Sequence, residues 1–307
     1  MRNSKALAIL LGDWGSTHLR AWVIGEDGEV RARRAFDLGV AGLAPGEAAA
    51  RFESEVRPAL GAFGLPVLLS GMVGSNLGWT SAGYVDCPTS LAALAGALTL
   101  AAPGVRIVPG LRCAGLAGPD IMRGEETQVL GWFGADPART SGRHLLCLPG
   151  THAKWVRILD GAIERFVTAM TGEIYALLKT HGILRTSALA SDEDADDLAA
   201  FDAGVDAAGD GGALAARLFA VRGRAIAGDL ASESSAAFLS GLLIGAEVAA
   251  LHPLMTHSAD GEVDLVGEAS LCAWYRRALA RRGIAARVTD GEAAALAGLT
   301  AIWRQAK

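Results

Sequence analysis

The sequence predicts an α/β protein made of two similar lobes, each a mixed β-sheet covered by helices. Its 307 residues are many for one hydrophobic core and favour two domains of roughly 150 residues each. Apolar runs of strand length alternate with longer helical segments along the chain. A strand–turn–strand pattern near the N-terminus recurs about 133 residues later, which indicates a duplicated lobe.

The two copies of this pattern share the same plan. In the first, an apolar strand over 7–11 is followed by a polar turn over 12–17 and a second strand over 19–24. In the second, a strand over 145–148 leads into the turn 149–152 and a strand from 155 onwards. An Asp-Gly turn follows each copy, which is typical of a further hairpin.

The other predicted helices and strands lie between the two copies in the sequence and after the second copy. Helices are expected over 46–62, 125–133, 172–178, 236–251, 271–282 and 291–304, and strands over 67–69, 263–266 and 286–288. The stretch 187–212 is either a weak helix pair or a mobile excursion. We therefore expect an N-terminal lobe over 1–140, a C-terminal lobe over 141–290 and a last helix over 291–307 that packs back on the first lobe.

Composition and charge narrow the functional classes. The net charge is -5, and no run of Lys and Arg supplies the basic face that duplex DNA needs, so nucleic acid is not an expected partner. The four cysteines are scattered, which fits a reducing cytoplasm. The apolar run 236–251 is too short to span a bilayer and is interpreted as a core helix, so no membrane contact is expected. Alanine-rich helices would suit a homodimer face.

Both turns are candidate phosphate clamps. A glycine- and hydroxyl-rich turn presents backbone N–H groups to an anion, and Gly15, Ser16 and Thr17 supply such a surface in the first lobe. The second turn, with Gly150, Thr151 and His152, has the same features. The alternative is that both are ordinary hairpin turns.

Charged residues flank each turn. Asp13 precedes the first turn and is placed to hold Mg²⁺, usually through water, because this ion prefers carboxylate and phosphate oxygens. Arg20 and Lys154 supply cations a few residues beyond the first and second turns. The alternative for Asp13 is a bond to its own backbone.

A candidate catalytic base stands at the start of the helix predicted at 125. Phosphoryl transfer to a sugar hydroxyl needs a carboxylate that accepts the hydroxyl proton, and Glu125 is favoured over Glu126 for this role. Acidic residues are also what a helix N-terminus favours for structural reasons. Arg123 could pair with a substrate carboxylate. Glu173 is the second choice of base.

A glycine-punctuated loop over 70–79 follows a buried strand. Ser75, Asn76 and Trp79 in this loop are candidates for contact with the hydroxyls of a polyol. The alternative is a plain strand-to-helix loop with a packed tryptophan.

Six segments together resemble the 2-dehydro-3-deoxygalactonokinase family. They are DWGSTHLRAW at 13–22, SGMVGSNLGW at 70–79, MRGEETQ at 122–128, LPGTHAKWV at 148–156, MTGE at 170–173 and FLSGLLIGAE at 238–247. The likeness extends in order from about residue 7 to the C-terminus. It implies two actin-like (ribonuclease H-like) lobes with a cleft between them, as in the sugar kinase and actin superfamily.

The resemblance also implies an activity and a set of site residues. The family phosphorylates the 6-hydroxyl of 2-dehydro-3-deoxy-D-galactonate with MgATP, in the De Ley–Doudoroff route of galactonate breakdown. The residues around the two turns then look like the phosphate motifs, and Gly124 with Glu125 looks like the Gly-Asp pair that carries the base in other carbohydrate kinases. Thr171 and Glu173 are assigned to the substrate.

The chain departs from the family pattern at the turn for adenosine. Where the family usually has an Ala-Gly-Thr-Ser-like turn, this chain reads Gly267-Glu268-Ala269-Ser270, which displaces the glycine and adds a carboxylate. Gly267 and Ser270 are still assigned to the nucleotide, but contact with its base or ribose is expected to differ.

Two other functions stay open at this stage. One is a kinase for a related 2-keto-3-deoxy sugar acid such as 2-dehydro-3-deoxygluconate, since its phosphate clamps would look the same. The other is a nucleotide-dependent regulator or chaperone-like ATPase on the same scaffold. The Glu125–Glu126 pair and the polar loop favour the kinase.

Overall fold

The computed structural model describes residues 7–184, 195–256 and 261–307. Its strands are β1 (Leu7–Trp14), β2 (Leu19–Gly25), β3 (Val30–Phe36), β4 (Val67–Gly71), β5 (Tyr84–Asp86), β6 (Thr99–Ala102), β7 (Val105–Ile107), β8 (Gly110–Ala114), β9 (Pro119–Met122), β10 (Arg143–Leu148), β11 (Ala153–Leu159), β12 (Ala162–Ala169), β13 (Val263–Gly267) and β14 (Ala286–Asp290).

The helices follow the same chain order. They are α1 (Glu47–Arg51), α2 (Arg57–Leu60), α3 (Leu91–Gly96), α4 (Glu125–Gly134), α5 (Thr171–Thr180), α6 (Ala195–Ala208), α7 (Leu214–Ala227), α8 (Ser235–Met255), α9 (Ala269–Arg281) and α10 (Gly291–Gln305). A π-helical turn, Phe52–Val56, joins α1 to α2.

The chain divides into two compact units. Unit 1 comprises Met1–Gly142, Leu159–Arg165 and Gly291–Lys307, and unit 2 comprises Arg143–Ile158 and Phe166–Asp290.

Unit 1 is built on a six-stranded mixed sheet in the order β3-β2-β1-β4-β7-β6. The β1–β2–β3 meander is antiparallel, whereas β4 pairs in parallel with β1 and with β7. One face of this sheet packs on the 47–60 helical segment through buried Trp14, Leu69 and Phe52. A smaller sheet, β5-β8-β9, precedes α4.

Helices α4 and α10 of unit 1 cross with their backbones in direct contact. A Cβ placed on Gly131 would lie 1.8 Å from the Ala294 carbonyl oxygen, and one on Gly298 would lie 1.8 Å from that of Thr127. Only glycine allows the two backbones to approach this closely. The contact fixes the N-terminal ends of both helices in unit 1.

Unit 2 is built on a five-stranded sheet in the order β12-β11-β10-β13-β14. β13 lies between β10 and β14 and is parallel to both. Its core joins sheet residues such as Trp155 and Leu265 to α8 and α9. The prediction of mixed sheets covered by helices is thus confirmed.

The structure differs from the prediction at residues 12–13 and adds detail to the stretch 187–212. Gly12 and Asp13, placed in the first turn, lie in β1 instead, because they pair with Ala21 and Arg20 of β2 and with β4 on the other side. Within the stretch 187–212, helix α6 occupies 195–208, and residues 185–194 lie outside the described residues.

Helix α8 is longer than predicted. Its 21 residues are apolar enough to cross a bilayer by length and composition, but 72% of the apolar window is buried inside the protein. A buried carboxylate, Glu247, lies within it and bonds to neighbouring elements. Burial, rather than shortness, therefore supports the interpretation of α8 as a core helix.

Candidate functional site

In unit 1, Asp13 lies where the end of β4 and the start of α4 approach β1. Asp13 is opposite Arg20 in β2 and Ser70 in β4. Gly71 has a φ of 91°, and a Cβ there would lie 3.4 Å from Asp13 Oδ1 and 2.7 Å from the Trp14 carbonyl oxygen. A Cβ on Gly124, whose φ is 109°, would lie 3.3 Å from Gly71 Cα. Two glycines with positive φ thus let the first turn of α4 approach Asp13.

The charge around Asp13 is mostly negative. Its side chain is 19% exposed, and burial raises its pKa to about 6, with Glu125 and Glu292 adding to the rise and Arg20 opposing it. Arg20 Nη1 is 3.8 Å from Asp13 Oδ2. Among the described residues no group of three or more metal-ligating side chains converges. A lone, crowded carboxylate fits Mg²⁺ held mainly by phosphates, since a cation would relieve this crowding.

The two glutamates at the start of α4 have different surroundings. Glu126 is completely buried, and its Oε2 accepts a hydrogen bond of 2.7 Å from Gly124 N. Its Oε1 is buried without a hydrogen-bond partner among the described atoms. Burial, followed by the charge of Glu125, raises the pKa of Glu126 to about 8, so this carboxyl is mostly protonated at neutral pH.

Glu125 is only partly buried, in contrast to Glu126. Its Oε2 accepts a hydrogen bond of 3.1 Å from Arg123 N, and its charge acts on Asp13. A base must reach the substrate proton. The geometry favours Glu125 over Glu126 in this role.

Arg123 is held by the small β5-β8-β9 sheet. Its Nη2 donates to the Gly83 carbonyl oxygen at 2.8 Å, and its guanidinium lies 4.5 Å from the centre of the Tyr84 ring. Its Nε and Nη1 are buried with no hydrogen-bond acceptor among the described atoms. A guanidinium with spare donors suits a carboxylate ligand.

The residues of the loop after β4 differ in whether they are buried, exposed or in contact with Arg123. A Cβ on Gly74 would lie 2.8 Å from Arg123 Nη1, so the loop contacts Arg123 directly. Ser75 is buried and its Oγ accepts from Leu77 N at 3.2 Å, whereas Asn76 is exposed. Trp79 packs on Phe52 with ring centres 5.5 Å apart. Trp79 is thus held by aromatic packing on one side, and its contact with a polyol stays a prediction.

The first turn, Gly15–His18, is hydrogen-bonded to a second loop, which comprises residues 39–41. Gly15 N donates to the His18 carbonyl oxygen, and Val40 N and Ala41 N donate to those of Gly15 and Ser16. A Cβ on Gly39 would lie 2.1 Å from the Ser16 carbonyl oxygen. In the described chain the N–H groups of Ser16 and Thr17 donate to no backbone carbonyl, which leaves them for an anion.

The second turn, in unit 2, rests on the first turn of α5. Glu173 N donates to the Thr151 carbonyl oxygen at 3.0 Å. A Cβ on Gly172 would lie 2.5 Å from the Gly150 carbonyl oxygen and 2.8 Å from Thr151 Cα. A helix terminus therefore fixes the backbone of this turn.

Side chains near the second turn are already partnered. His152 Nε2 contacts Glu173 Oε2, and both side chains are partly exposed. Lys154 is buried and its Nζ donates to the His152 carbonyl oxygen at 3.3 Å. The structure gives Glu173 a partner in unit 2, which favours a role in orienting His152 over a role as base.

A cavity of about 400 Å³ opens beside the second turn. Its wall combines an apolar and aromatic part with hydroxyl groups and the backbone of the turn. The lining residues are Gly150, Thr151, Thr171, Gly172, Tyr175, Ser240, Leu243, Ile244, Ser270, Leu271, Trp274 and Tyr275. Such a cavity has the size and the mixed apolar and polar lining of a small-molecule site.

The buried Glu247 fixes two walls of this cavity. Its carboxylate accepts hydrogen bonds from Trp155 Nε1 at 2.7 Å and from Tyr275 Oη at 2.8 Å, and it also bonds the Thr171 hydroxyl. Burial raises its pKa, and these three donors oppose the rise. Glu247 thereby links β11, α5 and α9.

The unusual segment 267–270 forms a helix cap. Glu268 is the N-cap of α9 and accepts hydrogen bonds from the Ser270 hydroxyl, from Ser270 N at 3.0 Å and from Leu271 N at 3.1 Å. The Ser270 hydroxyl, followed by the two backbone N–H groups, lowers the pKa of Glu268. Gly267 is buried close to Pro149, and Ser270 lines the cavity. The added carboxylate thus caps the helix, and the assignment of Ser270 to the nucleotide stays a prediction.

Sequence reasoning missed several residues of these two regions. Glu292, Glu247 and the cavity aromatics Trp274 and Tyr275 were not singled out, and neither was Gly39. The Asp290-Gly291 helix start was a usable signal for Glu292, because an acidic residue follows it directly. Glu247 was also signalled locally, as a single carboxylate within the apolar run 236–251. Nothing local identifies Gly39, Trp274 or Tyr275, since their partners are distant in sequence.

Comparison with known proteins shows consistent matches. A model of the 2-keto-3-deoxy-galactonokinase family matches residues 13–302. The chain is 39% identical over 300 residues to a probable 2-dehydro-3-deoxygalactonokinase of Rhizobium meliloti, covering 95% of each chain. It is 36% identical over 290 residues to the 2-dehydro-3-deoxygalactonokinase of Escherichia coli, covering 94% of this chain and 95% of the relative.

Solved structures agree with these matches. The crystal structure of a putative 2-dehydro-3-deoxygalactonokinase from Sinorhizobium meliloti has a TM-score of 0.85 at 38% identity, covering 96% of this chain and 98% of its own. The activator of 2-hydroxyisocaproyl-CoA dehydratase from Clostridium difficile, solved with bound ADPNP, has a TM-score of 0.51 at 12% identity and covers 97% and 95%. This second likeness concerns the fold alone. The predicted actin-like α/β fold is confirmed.

Proposed function

Since the chain belongs to the 2-keto-3-deoxy-galactonokinase family and is a phosphotransferase, we propose that it transfers the terminal phosphoryl group of ATP to the 6-hydroxyl of 2-dehydro-3-deoxy-D-galactonate. The family match and two relatives over nearly the full length support this activity. The observation that carries the site assignment is the approach of α4 to β1, which brings the partly exposed Glu125 near Asp13.

Glu125 acts as the general base. Its carboxylate accepts the proton of the 6-hydroxyl as the hydroxyl oxygen bonds to the γ-phosphorus, and the bond from that phosphorus to the bridging oxygen of ADP breaks. The products are ADP and the 6-phosphorylated sugar acid. Arg123, with two spare donors, pairs with the substrate carboxylate, and Ser75 and Asn76 lie in the loop that contacts Arg123.

Backbone and cationic groups hold the nucleotide. The N–H groups of the turns at 15–17 and 150–152 bind phosphate oxygens, with Arg20 and Lys154 as nearby cations. The cavity lined by Ser270, Trp274 and Tyr275 takes the adenine. Asp13 would hold Mg²⁺, which when bound neutralises charge on the β- and γ-phosphates. The magnesium requirement, the cytoplasmic location and the homodimer stay predictions.

A coupled ADP-release assay tests the activity and the base together. The wild-type protein is assayed with no acceptor and with a panel of 2-keto-3-deoxy sugar acids that includes the galactonate and gluconate derivatives. We expect the galactonate derivative to give the highest kcat/KM. We expect Glu125→Gln to lower kcat on the order of 10²-fold or more, by the usual contribution of a general base.

Three outcomes would change these assignments. A higher kcat/KM for the gluconate derivative would move the substrate within the class. ATP hydrolysis that no sugar acid accelerates would remove the kinase. If Glu125→Gln keeps its activity while Glu126→Gln or Glu173→Gln loses it, the base lies at that other residue.

A further inference from the structure

Glu292, in the first turn of α10, links two arginines in unit 1. Its Oε1 is 2.7 Å from Arg33 Nε, and its Oε2 is 2.7 Å from Arg33 Nη2. The same Oε2 is 3.8 Å from Arg20 Nε. Only 25% of the Glu292 side chain is exposed, so this arrangement is partly sheltered from solvent.

The fold places these charges on one face of the sheet. Asp13 is opposite Arg20, which is opposite Ala35, and Arg33 is two residues before Ala35 and shares its face. Apolar residues of β1 on the same face, such as Leu11, lie beside α10 residues Thr300 and Trp303. Helix α10 therefore covers the apolar part of this face, and its first turn meets the charged part.

Arg20 lies midway between two carboxylates. Its guanidinium is 3.8 Å from an oxygen of Asp13 and 3.8 Å from an oxygen of Glu292, beyond hydrogen-bond distance in both cases. Arg33 binds the Glu292 carboxylate through two contacts of 2.7 Å each, and this bidentate pair fixes the position of Glu292. Without Glu292, the Asp13 carboxylate would remain 3.8 Å from the Arg20 guanidinium, and the two would be expected to form a direct ion pair.

We propose that Glu292 is a positioning residue that, fixed by Arg33, holds Arg20 away from Asp13 and leaves the Asp13 carboxylate free to receive the metal ion of the nucleotide. This inference rests on the proposed function, in which Asp13 serves that metal. It assigns no contact between Glu292 and the metal or substrate. Arg33 is the anchor of the arrangement.

Binding of Mn²⁺, a paramagnetic substitute for Mg²⁺, tests this proposal apart from catalysis. Mn²⁺ is titrated into the full-length protein with saturating ADP and no sugar acid, and free Mn²⁺ is followed by electron paramagnetic resonance. We expect Glu292→Gln to weaken Mn²⁺ binding about tenfold, whereas ADP binding without metal, measured by calorimetry, stays within about twofold.

Arg33→Ala separates positioning from simple long-range attraction. If charge alone mattered, removal of a cation would strengthen Mn²⁺ binding. If Arg33 fixes Glu292, its removal weakens Mn²⁺ binding in the same direction as Glu292→Gln. Arg31→Ala is the matched control, because Arg31 lies on the same strand but pairs with Asp27.

The possible results are decisive for the proposal. Unchanged Mn²⁺ binding in Glu292→Gln, or tighter Mn²⁺ binding in Arg33→Ala, overturns the proposal. It is also overturned if Glu292→Gln weakens metal-free ADP binding as much as it weakens Mn²⁺ binding. If Glu292→Gln does not fold, as judged by circular dichroism, Arg33→Ala alone decides. A wild-type protein that binds Mn²⁺ with ADP but phosphorylates no sugar acid refutes the proposed function instead.

Discussion

The two hairpin turns have a similar sequence plan but different support and different surroundings. The turn in unit 1 is supported by the loop at Gly39–Ala41, and charged side chains lie beside it: Asp13, Arg20 and, beyond them, Glu292. The turn in unit 2 rests on α5 and borders a cavity with apolar and aromatic walls. A repeated turn can thus keep its backbone role while its neighbours take on different chemistry.

The two units also bury one glutamate each in different ways. Glu247 in unit 2 receives hydrogen bonds from three side chains, whereas Glu126 in unit 1 has only backbone N–H donors and keeps one oxygen without a partner among the described atoms. A buried carboxylate is stable in charged form only when donors surround it. Unit 1 is therefore the part whose stability should depend more on pH.

The largest effect is expected from the glycines that support the turns. Gly39→Ala and Gly172→Ala would each force the adjoining turn to move, and we expect kcat/KM to fall on the order of 10²-fold, as for misplacements of about 1 Å. Steady-state kinetics with ATP and the best sugar acid measure this.

Two open glycines serve as controls for this prediction. An added Cβ at Gly42 in unit 1 or Gly223 in unit 2 has no atom within 4 Å, so Gly42→Ala and Gly223→Ala should keep near wild-type activity. Full activity in Gly172→Ala would mean that the second turn does not need its support, and the comparison of the turns would fail.

A second effect concerns the pH dependence of stability. The folded protein binds the Glu126 proton more tightly than the unfolded chain, since the pKa rises from 4.5 to about 8. This stabilising contribution is complete below pH 4.5 and is lost as the pH rises towards 8, by up to about 1.4 kcal/mol per pH unit. Urea unfolding from pH 5 to 9 should show this loss in the wild type but not in Glu126→Gln.

Glu247→Gln gives the matched measurement in unit 2. Its amide would bring N–H groups into a site that already holds three donors, so we expect a destabilisation of about 1–3 kcal/mol that changes little with pH. If Glu126→Gln and the wild type lose stability in parallel as the pH rises, Glu126 is not the group responsible.

The smallest effect is expected from the two turn histidines. His18 Nε2 is 3.4 Å from Asp37 Oδ1 and both side chains are highly exposed, so His18→Ala should change neither stability nor activity measurably. His152→Ala should raise the KM for ATP several-fold with little change in thermal unfolding, because His152 belongs to the proposed phosphate turn. Equal KM values in the two variants would show that the second histidine does not contact the nucleotide.

The sequence supports prediction of those features that are encoded locally. Apolar runs bounded by glycine and polar residues identified both hairpins, and the acidic pair at 125–126 marked the start of α4 correctly. The position of Asp13 within β1 was missed, because pairing on both sides extends the strand past the apolar run. The cap formed by Glu268 was read only as a departure, although a carboxylate two residues before Ser270 is typical of a helix N-terminus.

The distant contacts could not be predicted in this way. Glu292 meets Arg20 and Arg33 only after the chain has returned to unit 1, and Glu247 meets Tyr275 from a different helix. No local period or motif encodes such pairs. The outcome depends on which helix covers which sheet face.

The crossing of α4 and α10 at Gly131 and Gly298 has a mechanical consequence. Because Gly131 and Gly298 meet backbone atoms of the facing helix, neither position has a side chain that could repack to absorb a tilt. Glu125 and Glu292 each lie in the first turn of their helix. Because the two helices are in rigid contact, these two residues are expected to move together. Any residue larger than glycine at the crossing would displace both Glu125, the proposed proton acceptor, and Glu292, the partner of Arg20.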